Sequence, residues 1–316
     1  MKITILVPVY NEEKSLPNLV DALDGVTAAL SDYEWEYLFV NDGSRDGTLG
    51  ILESLYENRD DVSYVDLSRN FGKENAMLAG FDHADGDAVI IMDADLQDPP
   101  EIIGGMVAKW REGYDDVYAR RKDRGKESWL RKRLSLAFYR ILQSSTDIDV
   151  LPNVGDFRLL DRKCIEALRR LRESGRYTKG LFTYIGFRKT AVEFDRGSRE
   201  QGQSSFNFWK LFKLAIEGIT SYTTAPLRLA TIMGVLVSLL AFTYMVYVFV
   251  KALIFGDPVA GYPTMMTVIL FLGGVQLLTI GIIGEYLGRV FNEVKQRPVY
   301  FVREAKGKNK DDRPLR

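Results

Sequence analysis

Two stretches near the C-terminus limit what this chain can fold into. Residues 229–250, LATIMGVLVSLLAFTYMVYVFV, run 22 residues without a charge, and residues 264–284, TMMTVILFLGGVQLLTIGIIG, run 21. At 1.5 Å per residue, a helix of either length spans roughly 30 Å, the thickness of a bilayer's hydrocarbon core. A pair of buried core helices is the competing reading, but aromatic and basic flanks on both runs favour membrane spans. The connection KALIFGDPVAGYP is short, so the two are expected as a helical hairpin. Lys210, Lys213 and Arg228 precede the hairpin, and Arg289, Lys295, Arg297 and Arg303 follow it; Lys251 is the one basic residue between the runs. Lysine and arginine gather on cytoplasmic flanks, which places both termini in the cytoplasm of a multi-pass inner-membrane protein. Just ahead of the first run, FNFWKLFKLAIEGITSY sets Phe208, Leu211, Phe212, Ala215, Ile216 and Ile219 on one helical stripe. That pattern suits an amphipathic helix lying in the membrane interface. Small residues in GVLVS and LGGV offer close helix packing, within one chain or in a homo-oligomer.

The N-terminal part is organised differently. ITILVPV is a continuous apolar run, as expected of a strand covered on both faces. It is too short for a signal peptide, and Pro8 interrupts it. A helix follows with Leu16, Leu19, Val20, Leu23 and Leu30 on one stripe and Pro17 in its first turn, where proline is tolerated. YLFV, VSYVDL, AVIIMD and DDVYAR read as further strands, and GTLGILESLYE, GKENAMLAGFDHA and PPEIIGGMVAKWREG as the helices between them. Repeated βα units imply an α/β fold with a mostly parallel, Rossmann-like sheet. The 316 residues suffice for one such domain plus something smaller. A net charge of −1 argues against general nucleic-acid binding. A single cysteine, Cys164, excludes an intrachain disulfide and reads as a small helix residue near a core; the one histidine, His83, reads as a helix-end residue. The tail REAKGKNKDDRPLR is polar and is expected to be mobile.

In such sheets ligands bind at the carboxyl ends of strands, and three strand ends carry polar surprises: PVYNEE, VNDGSRDGT and MDADLQD. Asp93, Asp95 and Gln97 offer hard oxygen ligands, suited to Mg²⁺ or Mn²⁺ bridging the protein to a diphosphate. On an extended segment alternate residues point the same way, so the three are expected to converge on one ion. Asp42, at a strand end, is expected to accept from a base imide or a ribose hydroxyl, whereas Asp46 reads as turn and cap chemistry. Neither G-x-x-x-x-G-K-[ST] nor G-x-G-x-x-G occurs, so P-loop and dinucleotide-binding readings lose their main support.

VPVYNEE, VNDGSRDGT, SRNFGKENAMLAG, DADLQDPPE, GDFRLLDR and GEYLGRV together resemble the family 2 glycosyltransferases. More closely they resemble the polyprenyl-phosphate glycosyltransferases, the group of bactoprenol glucosyltransferases and dolichol-phosphate mannose synthases. The resemblance covers nearly the whole chain. It implies a GT-A domain over residues 1–205, an amphipathic juxtamembrane helix over 206–227, a two-helix transmembrane hairpin over 228–288 and a cytoplasmic C-terminal segment over 289–316. It further implies a nucleotide-sugar donor, a polyprenyl (undecaprenyl) phosphate acceptor in membrane lipid, and inverting transfer of one sugar at the cytoplasmic face. By the same resemblance Pro8, Tyr10, Glu12, Asp42, Lys73 and Asp93 bind the donor. Asp95 and Gln97 hold the metal with Asp93 in support. Asp156 lies near the reacting sugar and Arg158 near phosphate, the two sharing the catalytic role with Asp93. Arg120, Arg131, Ser135 and Arg199 contact the lipid phosphate.

The mannose synthases tend to have TSGFR where this chain has VGDFR, which points toward the glucosyl group and UDP-glucose. The same reaction with UDP-N-acetylglucosamine or GDP-mannose is the near alternative. A processive polysaccharide synthase would carry Q-x-x-R-W and more spans. A membrane-tethered nucleotide-sugar sensor or flippase scaffold would have no need of the full set of acids and arginines.

Overall fold

The computed structural model describes residues 1–121, 154–194, 225–255 and 261–307. In chain order they form β1 (Lys2–Val9), α1 (Leu16–Ala28), β2 (Glu34–Asn41), α2 (Thr48–Asn58), β3 (Val62–Leu67), α3 (Lys73–His83) and β4 (Ala88–Ile91). A 3₁₀ turn at Pro100–Ile102 leads into α4 (Ile103–Arg111), followed by β5 (Asp116–Arg121), β6 (Val154–Asp161), α5 (Arg162–Arg170), α6 (Thr178–Tyr184) and β7 (Lys189–Phe194). Two long helices follow, α7 (Ala225–Phe255) and α8 (Tyr262–Val294), and then β8 (Val302–Lys306). The chain divides into two compact units: one holds the sheet with β8, the other holds α7 and α8.

The eight strands make one sheet in the order β7-β5-β6-β4-β1-β2-β3-β8. β1, β2, β3 and β4 pair in parallel, as do β5 and β7; β6 runs antiparallel to both β4 and β5, and β8 antiparallel to β3. β1 shows why the sheet is covered twice. Ile3, Ile5, Val7 and Val9 join one core with Leu16, Leu19 and Leu23 of α1, while Leu6 joins a second core with α3 and α5. The α1 leucines are fully buried, each worth roughly 1.5–3 kcal/mol relative to exposure. On the other face, Cys164 of α5 is buried in the second core, and burial pushes its thiol well above the ordinary range. Asp161 starts α5 as its N-cap, accepting from Lys163 N at 3.1 Å and from Trp110 Nε1 of α4 at 2.8 Å.

Two features depart from the sequence reading. The strand after α4 does not simply extend the parallel set, because β6 inserts between β4 and β5 in the opposite direction. The polar tail is not mobile throughout: Val302–Lys306 is a strand on the β3 edge. Its polar residues are at home there because an edge strand faces solvent on one side.

In the second unit α7 carries no charged residue between Arg228 and Lys251. Ile232, Leu236, Leu240 and Phe242 of α7 and Leu277 and Ile280 of α8 stand exposed, more apolar surface than a soluble helix pair leaves bare. Among the described residues one window, Phe271–Val294, is long and apolar enough to cross a membrane, and none of it is buried inside the protein; Ala230–Tyr244 is a shorter apolar stretch. The amphipathic stretch over 206–224 lies outside the described residues.

Candidate functional site

The polar loops after β1 and β2 are tied to each other before they touch any ligand. Asn11, at φ 56°, accepts from Arg45 N at 2.8 Å through its side chain and donates to Ser44 Oγ at 2.9 Å through its backbone. Glu13 Oε2 accepts from Gly47 N at 2.9 Å, and Glu12 N donates to Thr48 Oγ1 at 2.8 Å. Asp46 accepts from Thr48 N and from the Thr48 hydroxyl, the cap chemistry expected of it.

Asp42 fastens a third loop, residues 68–72. Its two oxygens accept from Phe71 N at 2.7 Å and Gly72 N at 2.9 Å. Burial raises its pKa, and the two backbone N–H groups oppose that rise. Each carboxylate oxygen keeps a second lone pair, so Asp42 can still accept from a ligand. Gly43 beside it sits at φ +66°, and a Cβ there would lie 2.4 Å from the carbonyl carbon of Arg69. The loop crosses so closely that only glycine fits.

β4 and β6 bring the acids together. Ala88 pairs with Asp161 and Ile91 with Arg158; Asp93, two residues beyond the end of β4, then lies close enough to Asp156 of β6 for the two charges to interact. Lys73, the first residue of α3, places its ammonium between them, 2.6 Å from Asp93 Oδ1 and 2.6 Å from Asp156 Oδ2. Lys179 of α6 stands 3.9 Å from Asp156 Oδ1. The three central charges shift one another. Burial works against ionised Asp156, but Lys73 and Lys179 outweigh it and hold its pKa below the ordinary value. Burial raises Asp93, and Lys73 offsets only part of that rise. Burial also opposes the Lys73 charge, yet Asp156 and Asp93 more than compensate and keep it an ammonium.

A cavity of about 280 Å³ opens at these strand ends, walled by Pro8, Tyr10, Glu12, Asp42, Asn70, Gly72, Lys73, Asp93 and Asp95 among others. Tyr10 is 43 % exposed at its wall, a ring free to stack on a planar ligand. The Glu12 carboxylate accepts from the Ser15 hydroxyl.

A divalent cation fits this wall in one particular way. Among the described residues, no three or more His, Cys, Asp or Glu side chains cluster to hold a metal, so the protein alone makes no complete cage there. Asp95 stands exposed on the wall, oriented by Gln97 through bonds from its backbone N at 3.1 Å and its Nε2 at 2.6 Å. One oriented carboxylate, completed by substrate phosphate oxygens and water, is how Mg²⁺ and Mn²⁺ are commonly held at phosphate sites.

The expected extended run does not carry the acids: β4 ends at Ile91, residues 94–95 turn, and Leu96 takes φ 53°. Asp93 therefore turns to Lys73, whereas Gln97 holds Asp95 and is not itself on the cavity wall. Arg158 is buried, paired with Asp116 at 3.0 Å and stacked 3.7 Å above the Phe182 ring. Arg120 is exposed at the end of β5 and pairs with Glu193. Arg131, Ser135 and Arg199 lie outside the described residues. Asn70, Gly72 and Lys179 escaped the sequence reading. The two loop residues follow β3 with no acid to mark them, and Lys179 reaches Asp156 only through the fold.

Comparison with known proteins shows the family. The family model described as "Glycosyl transferase family 2" matches residues 4–169, and the one described as "GtrB C-terminal hairpin" matches residues 225–290. An uncharacterised glycosyltransferase of Synechocystis sp. is 48% identical over 307 residues, covering 97% of this chain and 96% of its own. The bactoprenol glucosyl transferases of Shigella phages SfII and SfV are each 43% identical, covering 96% and 98% of this chain and 98% and 100% of their own. Among solved structures, glucosyl-3-phosphoglycerate synthase from Mycobacterium tuberculosis with Mn²⁺, UDP and phosphoglyceric acid aligns at a TM-score of 0.47 and 19% identity, over 69% of this chain and 76% of that one. That likeness is too slight to carry an argument. The family match and the near full-length relatives suffice: this chain belongs to glycosyl transferase family 2, within its polyprenyl-phosphate glycosyltransferase group.

Proposed function

We propose that this chain is a membrane-bound inverting glycosyltransferase that moves one glucose from UDP-glucose to polyprenyl phosphate at the cytoplasmic face. The observation that carries the reading is 43% identity, over almost the full length of both chains, to the bactoprenol glucosyl transferase of Shigella phage SfII. The cavity supports it with an exposed ring, acids at the strand ends and a lysine ammonium.

In this reading Tyr10 and Asp42 hold the nucleoside, with Pro8 and Glu12 shaping the pocket beside them. Lys73 stays charged and faces the donor diphosphate. Asp156 stays ionised and lies near the anomeric carbon, where it balances the positive charge that develops as the bond to the nucleotide breaks. An oxygen of the acceptor phosphate forms the new bond to that carbon from the opposite face, and the bonding pair of the old C–O bond leaves on the nucleoside diphosphate. A phosphate monoester is largely dianionic near neutral pH, so no side chain needs to remove a proton. A divalent cation held by Asp95, with Asp93 and Gln97 in support, would neutralise charge on the departing diphosphate.

Arg120, Arg131, Ser135 and Arg199 are proposed for the acceptor phosphate. An exposed ion pair such as Arg120–Glu193 is worth little in water, so Arg120 can exchange Glu193 for a phosphate at small cost. The second apolar helix is proposed as a span alongside Phe271–Val294, which tethers the chain to the bilayer that holds the acceptor lipid.

Purified full-length protein incubated with undecaprenyl phosphate and, separately, UDP-glucose, UDP-N-acetylglucosamine and GDP-mannose tests the donor. Hexosyl lipid from UDP-glucose is the expected product. Efficient turnover with either other donor in its place would refute the glucose assignment.

A further inference from the structure

The strand that follows the hairpin reaches back to the wall of the cavity. Ser68 N donates to Phe301 O at 2.9 Å, and Arg303 donates from one guanidinium nitrogen to Ser68 O at 2.9 Å. Its other nitrogen donates to Asp66 Oδ2 at 2.9 Å, while Asn41 Nδ2 at the end of β2 holds Asp66 Oδ1 at 2.7 Å. Asp66 is only 1 % exposed, so these are the fixed ends of a buried acid. The Phe301 ring packs on Phe71 with centroids 6.3 Å apart.

The register accounts for the reach of Arg303. Asp66 pairs with Glu304 and Leu67 with Val302, so Arg303 is the extra residue of a β-bulge. A bulge re-aims the side chain it carries, and here the side chain arrives where β3 gives way to residues 68–72. That loop is held from the other side by Asp42 through Phe71 N and Gly72 N. It supplies Asn70 and Gly72 to the cavity wall and leads straight into Lys73. Tyr300 anchors the same segment to α3 by donating to Asp82 Oδ2 at 2.5 Å.

We infer that Phe301 and Arg303 are positioning residues for the nucleotide donor, acting through the loop at residues 68–72. The inference rests on the reading of the cavity as the donor site. A loop clamped on both sides is already in its binding form, so the donor loses no affinity in selecting it. Releasing one clamp lowers the fraction of molecules in that form, and the apparent affinity falls in proportion. Chemistry on molecules that do bind is unchanged, because neither residue touches the acids at β4 and β6.

The test uses the full-length chain in lipid nanodiscs, with Arg303→Ala, Arg303→Lys, Phe301→Ala and, on the same strand but away from the loop, Lys306→Ala. Arg303→Ala and Phe301→Ala are expected to raise the KM for UDP-glucose about five- to tenfold with kcat within about twofold. Arg303→Lys is expected to recover part of the loss, and Lys306→Ala to match wild type. Backbone amides of Phe71 and Gly72 are expected to exchange hydrogen faster in both alanine variants without donor present. A purely structural role would instead lower Tm and kcat while leaving KM unchanged, and that result overturns the inference. If wild type binds nucleotide sugar and the folded variants bind it equally well, the inference alone fails. If wild type binds no nucleotide sugar at all, the donor-site reading fails and takes the inference with it.

Discussion

The Lys73 ammonium joins Asp93, two residues beyond the end of β4, to Asp156 of β6, lying 2.6 Å from an oxygen of each. Two carboxylates at such a distance cannot both stay ionised cheaply unless a cation lies between them. Lys73, helped by Lys179, therefore keeps Asp156 charged for the role proposed above.

Replacing Lys73 by Met should cut transfer at least about 100-fold, since the charge facing the diphosphate and the ionised Asp156 are lost together. Stability should change with a definite sign. Asp156, held below its ordinary pKa, contributes stability that is present above the unfolded carboxylate value and lost as pH falls through the folded one. Asp93, held above, costs stability when ionised, and protonation relieves that cost as pH falls. Lys73, held above its own ordinary value, contributes fully at every pH below the unfolded lysine value. The Tm gap between wild type and Lys73→Met should therefore be wide at about pH 7 and narrow at about pH 3, below the ordinary carboxylate value. Thermal scans at both values decide it, and an equal gap would contradict the arrangement.

Asp95→Ala should abolish turnover with either Mg²⁺ or Mn²⁺ and leave Tm near wild type, because the side chain is exposed and, among the described residues, hydrogen-bonds to Gln97. Gln97→Ala should be milder, lowering metal affinity by about tenfold, the scale of an outer partner that only orients a ligand. A metal titration of activity separates the two. A Gln97→Ala loss as complete as that of Asp95→Ala would make Gln97 a direct ligand.

At Gly43 an added Cβ meets Arg69 backbone at 2.4 Å on a left-handed residue, whereas at Gly25 in α1 it meets nothing within 4 Å. Gly43→Ala should push residues 68–72 off Asp42 and weaken donor binding. Gly25→Ala should instead stabilise the protein by about 0.4–1 kcal/mol with donor binding unchanged. Denaturant midpoints together with UDP titrations test the pair.

Arg158→Ala should act on folding. It leaves Asp116 buried, 2 % exposed and without its guanidinium, and breaking a buried pair from one side costs about 3–5 kcal/mol. Urea unfolding should show that loss. A normally stable Arg158→Ala protein with poor phosphate binding would restore the phosphate role that its motif suggests.

These residues mark how far the sequence could be read. Asp42, Asp93 and Asp95 were legible because each follows an apolar run that can only be a buried strand in a βα fold. Arg158 was legible as part of GDFRLLDR, but its partner Asp116 lies on another strand and nothing in the spacing joins them. The closeness of Asp93 to Asp156 depends on β6 inserting antiparallel beside β4, a non-local pairing without local signature. β8 is a five-residue polar segment, VREAK, whose extended form comes from pairing with β3 about 240 residues earlier in the chain. Propensity alone reads it as tail.

The most direct test of the whole account is transfer of labelled glucose from UDP-glucose into an undecaprenyl-phosphate fraction by the purified full-length chain. The account predicts one hexose per lipid, formed with Mg²⁺ or Mn²⁺, stopped by chelation and absent in Asp95→Ala. A chain that binds UDP-glucose yet yields no glycosylated lipid, or one whose transfer survives both chelation and Asp95→Ala, would contradict it.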